Sequence, residues 1–168
     1  GIIIKSHLMN NLENELITNK IVNLKGVKDK NFNKKLVYID KNKLLQFPHL
    51  FRQIVDLIWK RIKKKNVKKI VVGDSLATIL GVGLISEHNI IIERLKDCKD
   101  FDSSILLVGK LLDYELLLKN SKKFSHVIVV FDTTQKIHSV KEQLDILFFP
   151  KKKNKKTCLV LNWKNFRD

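Results

Sequence analysis

Residues able to do chemistry are present in the chain, but not in spacings that assemble a reaction centre. The five histidines, His7, His49, His88, His126 and His138, are scattered among expected loops and helix ends, and no pair has the spacing of a helical metal site. Cys98 stands in Lys96-Asp97-Cys98-Lys99, where neighbouring ammonium groups could lower a thiol pKa; the plainer reading is an exposed bystander. Ser75 follows an apolar run and precedes Leu76-Ala77, yet Gly73-Asp74-Ser75-Leu76-Ala77 lacks the second glycine of a nucleophile elbow. Gly81-Val82-Gly83 falls inside a helical pattern, not ahead of one, so it makes no dinucleotide loop. The residues therefore point to no metal, no cofactor and no catalytic group.

What the chain has in excess is positive charge. Lys and Arg number 33 against 17 Asp and Glu, a formal net charge of +16, which attracts phosphates or acidic surfaces at long range. The cations gather in two places: Lys60, Arg61, Lys63, Lys64, Lys65, Lys68 and Lys69, and then Lys151, Lys152, Lys153, Lys155 and Lys156 ahead of Trp163 and Phe166. Lysines beside aromatics suit single-stranded nucleic acid. The bland readings are a solvated helix end, where the macrodipole favours cations, a loop between strands, and a Lys-, Asn- and Ile-rich composition of the kind an AT-rich virus or parasite encodes. Cys98 and Cys158 are the only cysteines, which fits a reducing compartment. The longest apolar runs, such as Ile79 to Ile85 and Ile105 to Val108, are too short to span a bilayer. The expectation is a soluble intracellular protein, cytoplasmic or nuclear, with no membrane partner.

The elements that would position these residues follow from periodicity. Ser6 is placed to cap a helix to about Ile17, with Leu8, Leu12 and Leu16 at helical spacing. Lys20 to Lys35 suits irregular or hairpin structure, and Leu36 to Ile39 reads as a strand. After Pro48, Leu50, Phe51, Ile54, Val55, Leu57, Ile58 and Ile62 describe a long helix. Strands are expected at Lys69–Val72, Asn89–Ile92, Ile105–Val108, Val127–Phe131 and Ile146–Phe149, with a possible edge strand at Thr157–Leu161. Helices are expected at Leu76–Ile85, Leu111–Leu118 and Ile137–Leu144, and Glu93 to Asp102 reads as a charged turn. Alternation of this kind specifies an α/β fold with a mostly parallel central sheet flanked by helices. At 168 residues one domain is expected. It comprises an N-terminal helix and irregular hood-like segment (1–35), a core (36–149) and a basic loop with a C-terminal strand and tail (150–168). In such sheets ligands bind beyond the strand ends, so the turn at Gly73-Asp74-Ser75 is the place to look for a site.

One set of residues carries a family resemblance. Leu36-Val37-Tyr38-Ile39-Asp40, Pro48 with Leu50, Gln53 and Asp56, Val72-Gly73, Leu76-Ala77-Thr78, Ile90 to Arg94, Lys99-Asp100-Phe101 and Val127 to Asp132 resemble, in the same order, segments of orotate phosphoribosyltransferase. The resemblance spans roughly Ile21 to Pro150 and implies a type I phosphoribosyltransferase-like fold, usually dimeric in the family.

The departures from that pattern bear on activity. The family's pyrophosphate-binding loop separates the strand glycine from Leu-Ala-Thr, whereas only Asp74 and Ser75 separate Gly73 from Leu76. The mobile catalytic loop would fall between Phe101 and Ile105, where only Asp102-Ser103-Ser104 stands. The phosphoribosyl-diphosphate signature, two adjacent acids and a small-residue turn that cradles the 5′-phosphate, is replaced after Val108 by Gly109-Lys110-Leu111-Leu112-Asp113-Tyr114-Glu115. Gly73, Asp74, Ser75, Arg94, Lys96, Lys99, Gly109 and Lys110 thus match a degenerate ancestral site. Loss of one preorganised electrostatic element costs about 10²–10³ in rate, so an inactive fold is expected.

Three functions compete on these grounds. The first is a basic nucleic-acid-binding or regulatory scaffold, contacting DNA or RNA through the two lysine clusters. The second is homo- or hetero-oligomeric protein assembly without nucleic acid. The third is residual binding of a nucleotide or phosphoribosyl diphosphate.

Overall fold

The computed structural model describes residues 11–29, 34–112, 114–134, 144–150 and 159–161. Helix α1 (11–18) buries Leu12 and Leu16 and closes with Lys20 in the left-handed region, φ 59°. The Ile21 N–H donates to the Leu16 carbonyl at 2.9 Å and the Lys20 N–H to Ile17 at 3.0 Å, so a glycine-type helix end is made with a lysine. The strands β1 (Val22–Asp29) and β2 (Lys34–Ile39) form an antiparallel pair, Val22 opposite Ile39, which realises the hairpin alternative for Lys20 to Lys35. The expected cap at Ser6 lies outside the described residues.

Asp40 caps the short helix α2 (Lys41–Leu44), accepting the Lys43 N–H at 2.9 Å. Helix α3 (Pro48–Ile62) starts on Pro48 and buries Leu50, Ile54, Val55, Ile58 and Ile62, as the apolar spacing requires.

The main sheet has the order β4-β3-β5-β6-β7-β8. Its strands are β3 (Lys69–Val72), β4 (Ile91–Arg94), β5 (Ser104–Leu111), β6 (His126–Asp132), β7 (Leu144–Pro150) and β8 (Leu159–Leu161). The first five in spatial order are parallel, and β8 is the antiparallel edge strand. Helix α4 (Ser75–Glu87) links β3 to β4, and α5 (Tyr114–Ser121) links β5 to β6. One sheet face, with Ile70, Val72, Ile105, Leu107, Ile128 and Val130, packs on α3 and α4. The other, with Val71, Leu106, Val108, Val127, Val129 and Ile146, packs on Leu117 of α5 and Phe124. Burial on both faces is why β5 and β6 read as continuous apolar runs.

Three assignments need correction. Leu111 belongs to β5, and the next helix begins at Tyr114: Leu111 pairs with Asp132 across the sheet, so ladder and burial override a helical run of leucines. The second strand is shifted two residues toward the C-terminus, taking Glu93 and Arg94 out of the expected turn because they pair with Val71 and Val72. Leu144 begins β7, and the rest of the expected helix Ile137–Leu144 lies outside the described residues. Among the described residues no helix is long and apolar enough to cross a membrane.

Candidate functional site

The chain leaves β3 through α4 to reach β4 on one side, and then returns to β5 on the other side. This reversal makes the C-terminal ends of β3 and β5 the topological switch point of the sheet, where an open crevice receives ligands. Here the crevice is bridged. The Gly73 N–H donates to the Leu107 carbonyl at 2.9 Å, continuing the pairing of β3 with β5 past Val72.

Asp74 occupies the centre. Its Oδ1 accepts the Ala77 N–H at 2.7 Å, capping α4, and the Gly109 N–H at 3.2 Å. Its Oδ2 accepts the Gly109 N–H at 3.0 Å and the Lys110 N–H at 3.1 Å. One carboxylate thus satisfies amides from both elements that could hold an external anion, the helix N-terminus and the end of the next strand. The helix sits directly on that strand: a Cβ on Gly109 would lie 2.6 Å from Leu76 Cβ and 2.8 Å from the Ala77 nitrogen. A side chain at position 109 would force α4 away from β5.

The side chains of the other residues expected at a degenerate site surround this centre without joining it. Ser75 is the exposed first residue of α4. Arg94 lies opposite Val72 at the same sheet end, but its Nε donates to Asp97 Oδ2 at 2.8 Å on the surface. Lys96 and Lys99 are exposed on the way back toward β5. The Lys110 ammonium stands over the Tyr38 ring, 5.6 Å from its centroid, which ties β5 to the hairpin.

The first lysine cluster divides. Lys60, Lys63, Lys64 and Lys68 are exposed, and Lys65 is half-buried. Arg61 is buried at 8 % exposure, on the core side of α3. Lys69 is half-buried. Its ammonium pairs with Glu93 at 3.1 Å across β3 and β4. The second cluster, Lys151, Lys152, Lys153, Lys155 and Lys156, lies outside the described residues.

Cys98 departs from both of its readings. It is half-buried, and its thiol is pushed up by burial and by the Glu93 carboxylate, against the opposing pull of Lys69. The charges that act on the thiol come from Glu93, five residues earlier, and from Lys69 of β3. Among the described residues no group of three or more His, Cys, Asp or Glu could hold a metal ion. His88 stacks flat on Trp59, with centroids 3.8 Å apart, and His126 begins β6.

Glu13 and the pair Lys122-Lys123 are not marked out by the sequence pattern. Glu13 sits between Leu12 and the polar face of α1 and reads as solvent-facing, yet it is buried at 6 % exposure. Lys122 and Lys123 stand before β6 much as Lys68 stands before β3. Their common position at the strand starts was the signal available.

The architecture is a phosphoribosyltransferase-like α/β fold, with a five-stranded parallel sheet flanked by helices. A solved structure with a similar fold is that of Leishmania donovani UMP synthase, with a TM-score of 0.57 and 14% sequence identity. The match covers 73% of this chain and 31% of that one, so the chain spans about a third of the length of the enzyme it resembles. No family model and no curated protein matches the chain in sequence.

Proposed function

We propose that this chain is a catalytically inactive phosphoribosyltransferase-like protein that serves as a basic nucleic-acid-binding module. The observation that carries the inactive half of this reading is the Asp74 carboxylate on the amides of Ala77, Gly109 and Lys110. A phosphate group would have to displace a covalently tethered anion that already makes charge-assisted hydrogen bonds, and would meet its negative charge. The short Gly73-Asp74 turn, with α4 starting at Ser75, leaves no loop to fold over a pyrophosphate. The binding half rests on the net charge of +16 and on exposed lysines after α3.

Calorimetric titration with phosphoribosyl diphosphate and with orotate tests the first half; a flat response to both is expected, and saturable heat with either would sink it. A gel-shift series with single-stranded and duplex DNA and RNA at low salt tests the second. Retardation that fades steeply with salt is expected, and no retardation at any salt would refute nucleic-acid binding.

A second reading, self-assembly, is favoured by the outer face of α4. That helix carries no charge before Glu87, and Val82 and Ile85 are 61% and 51% exposed on it. Sedimentation at micromolar concentration distinguishes the two, because a monomer with no protein partner argues against assembly.

A further inference from the structure

In a parallel sheet every loop that precedes a strand arrives at the same edge. The segment after α3 carries Lys63, Lys64 and Lys68 into β3, and the segment after α5 carries Lys122 and Lys123 into β6. All five are exposed. The two segments are separated by the single strand β5, which places their strand starts roughly 10 Å apart, two strand spacings.

Hydrogen bonds bind this edge together. The Lys68 N–H donates to the Ser103 carbonyl at 2.7 Å, and the Ser125 N–H and hydroxyl both donate to the Ser104 carbonyl, at 3.1 and 2.7 Å. The electrostatics agree with the geometry: burial lowers the pKa of His126 first, and Lys65, from the other segment, lowers it further. The Lys123 ammonium stands 5.4 Å from the centroid of the Phe101 ring, which holds its stem against the same edge.

We propose that this N-terminal edge of the sheet is a binding surface for the phosphate backbone of nucleic acid, in which Lys122 and Lys123 extend the cluster formed by Lys63, Lys64 and Lys68. The surface lies at the opposite end of the sheet from the Asp74 switch point, so it owes nothing to the ancestral site. The inference rests on the nucleic-acid half of the proposed function and assigns it a place. Asp100 and Asp102 are exposed on the loop between the two lysine groups, so phosphate contacts fall in two sets with a repulsive gap between them. A lipid surface fits less well. Among the described residues the exposed large apolar side chains are Tyr38, Leu45, Val82, Ile85, Ile91 and Leu112, and only Ile91, at the far edge on β4, starts a strand here.

The test is fluorescence anisotropy of labelled single-stranded and duplex oligonucleotides with the full chain across a salt series. Replacing Lys122 and Lys123 together by Ala should make the slope of log affinity against log salt shallower by about 1.4 on single strands and about 1.8 on duplex, and replacing Lys63, Lys64 and Lys68 by about 2.1 and about 2.7. Asp102→Asn should act in the opposite sense and tighten binding, which a merely damaged fold would not do. If wild-type protein binds but both lysine variants keep its affinity and slope, the contacts lie elsewhere and this inference fails, while nucleic-acid binding stands. If no oligonucleotide is bound at low salt, both fail. Capture by phosphatidylserine vesicles that oligonucleotides cannot compete away would also overturn it.

Discussion

Asp74 and Gly109 are joined across the sheet's reversal point, both carboxylate oxygens lying 3.0–3.2 Å from one amide nitrogen. The two residues are 35 apart in sequence, and the contact closes the strand-to-helix turn onto the neighbouring strand. The same carboxylate caps α4. Its removal therefore loosens two elements at once.

Asp74→Ala is expected to destabilise the protein by about 2–4 kcal/mol, since it strips a helix cap and leaves three amides, those of Ala77, Gly109 and Lys110, without their acceptor. Asp74→Asn keeps one side-chain oxygen and should lose less. Urea denaturation of the three proteins measures this order. The vacated amides also form an anion site, so added sulfate or phosphate should raise the midpoint of the Ala variant more than that of wild type.

The two glycines flanking this turn should respond oppositely to alanine. At Gly109 a methyl group meets Leu76 Cβ at 2.6 Å and Leu76 Cγ at 2.7 Å, with the Ala77 nitrogen at 2.8 Å. Backbone has to move, at a cost of about 1–3 kcal/mol or more. At Gly73 the closest atom, Leu106 Cδ1, stands at 3.4 Å, so Gly73→Ala should be tolerated and can gain a few tenths of a kcal/mol by restricting the unfolded chain. Thermal melts of the pair check the contrast. Equal losses would mean that α4 does not seat on β5 as described.

These details separate what the residues announce from what only the fold can supply. Strands β3, β5 and β6 and helices α3 and α4 are legible because their apolar residues recur with the period of the element or fill it completely. The fate of Asp74 is half legible: an Asp before Ser-Leu-Ala-Thr is a good cap by local rules, but its second set of partners comes from a strand 35 residues later. Arg61 and Lys69 look like members of a lysine run. Which of them turns inward depends on the pitch of α3 and on Glu93 arriving beside β3. Glu13 gives no sign of burial, because Asn11, Asn14 and Glu15 beside it read as the polar face of the helix.

Burial raises the Glu13 carboxyl to about 8, and its Oε1 has no hydrogen-bond partner among the described residues. A raised carboxylate pKa means that the folded protein holds a proton the unfolded chain releases. The neutral form is accommodated at pH below the ordinary carboxylate range; as pH climbs from about 4.5 to about 8 the unfolded state is favoured progressively, and above that the full penalty applies. Glu13→Gln should therefore leave stability little changed near pH 4 and raise it at pH 9, flattening the wild-type decline. Urea midpoints at acid, neutral and alkaline pH give the comparison. Parallel pH profiles for the two proteins would show that this carboxyl is not buried.

Cys98 offers a chemical readout of the β3–β4 edge. Burial and the Glu93 carboxylate both push its thiol up, and its Sγ–H donates to the Asp100 carbonyl at 3.3 Å. The thiolate is the reactive form, so alkylation of Cys98 by iodoacetamide near neutral pH should be slower than that of a free cysteine. Glu93→Gln removes the negative charge and should speed the reaction and shift its pH profile downward. Lys69→Met removes the cation that opposes this, and should slow it. Peptide mass mapping follows Cys98 separately from Cys158. If Glu93→Gln and Lys69→Met change the rate in the same direction, the ion pair acts by holding the edge in shape and not by its field on the sulfur.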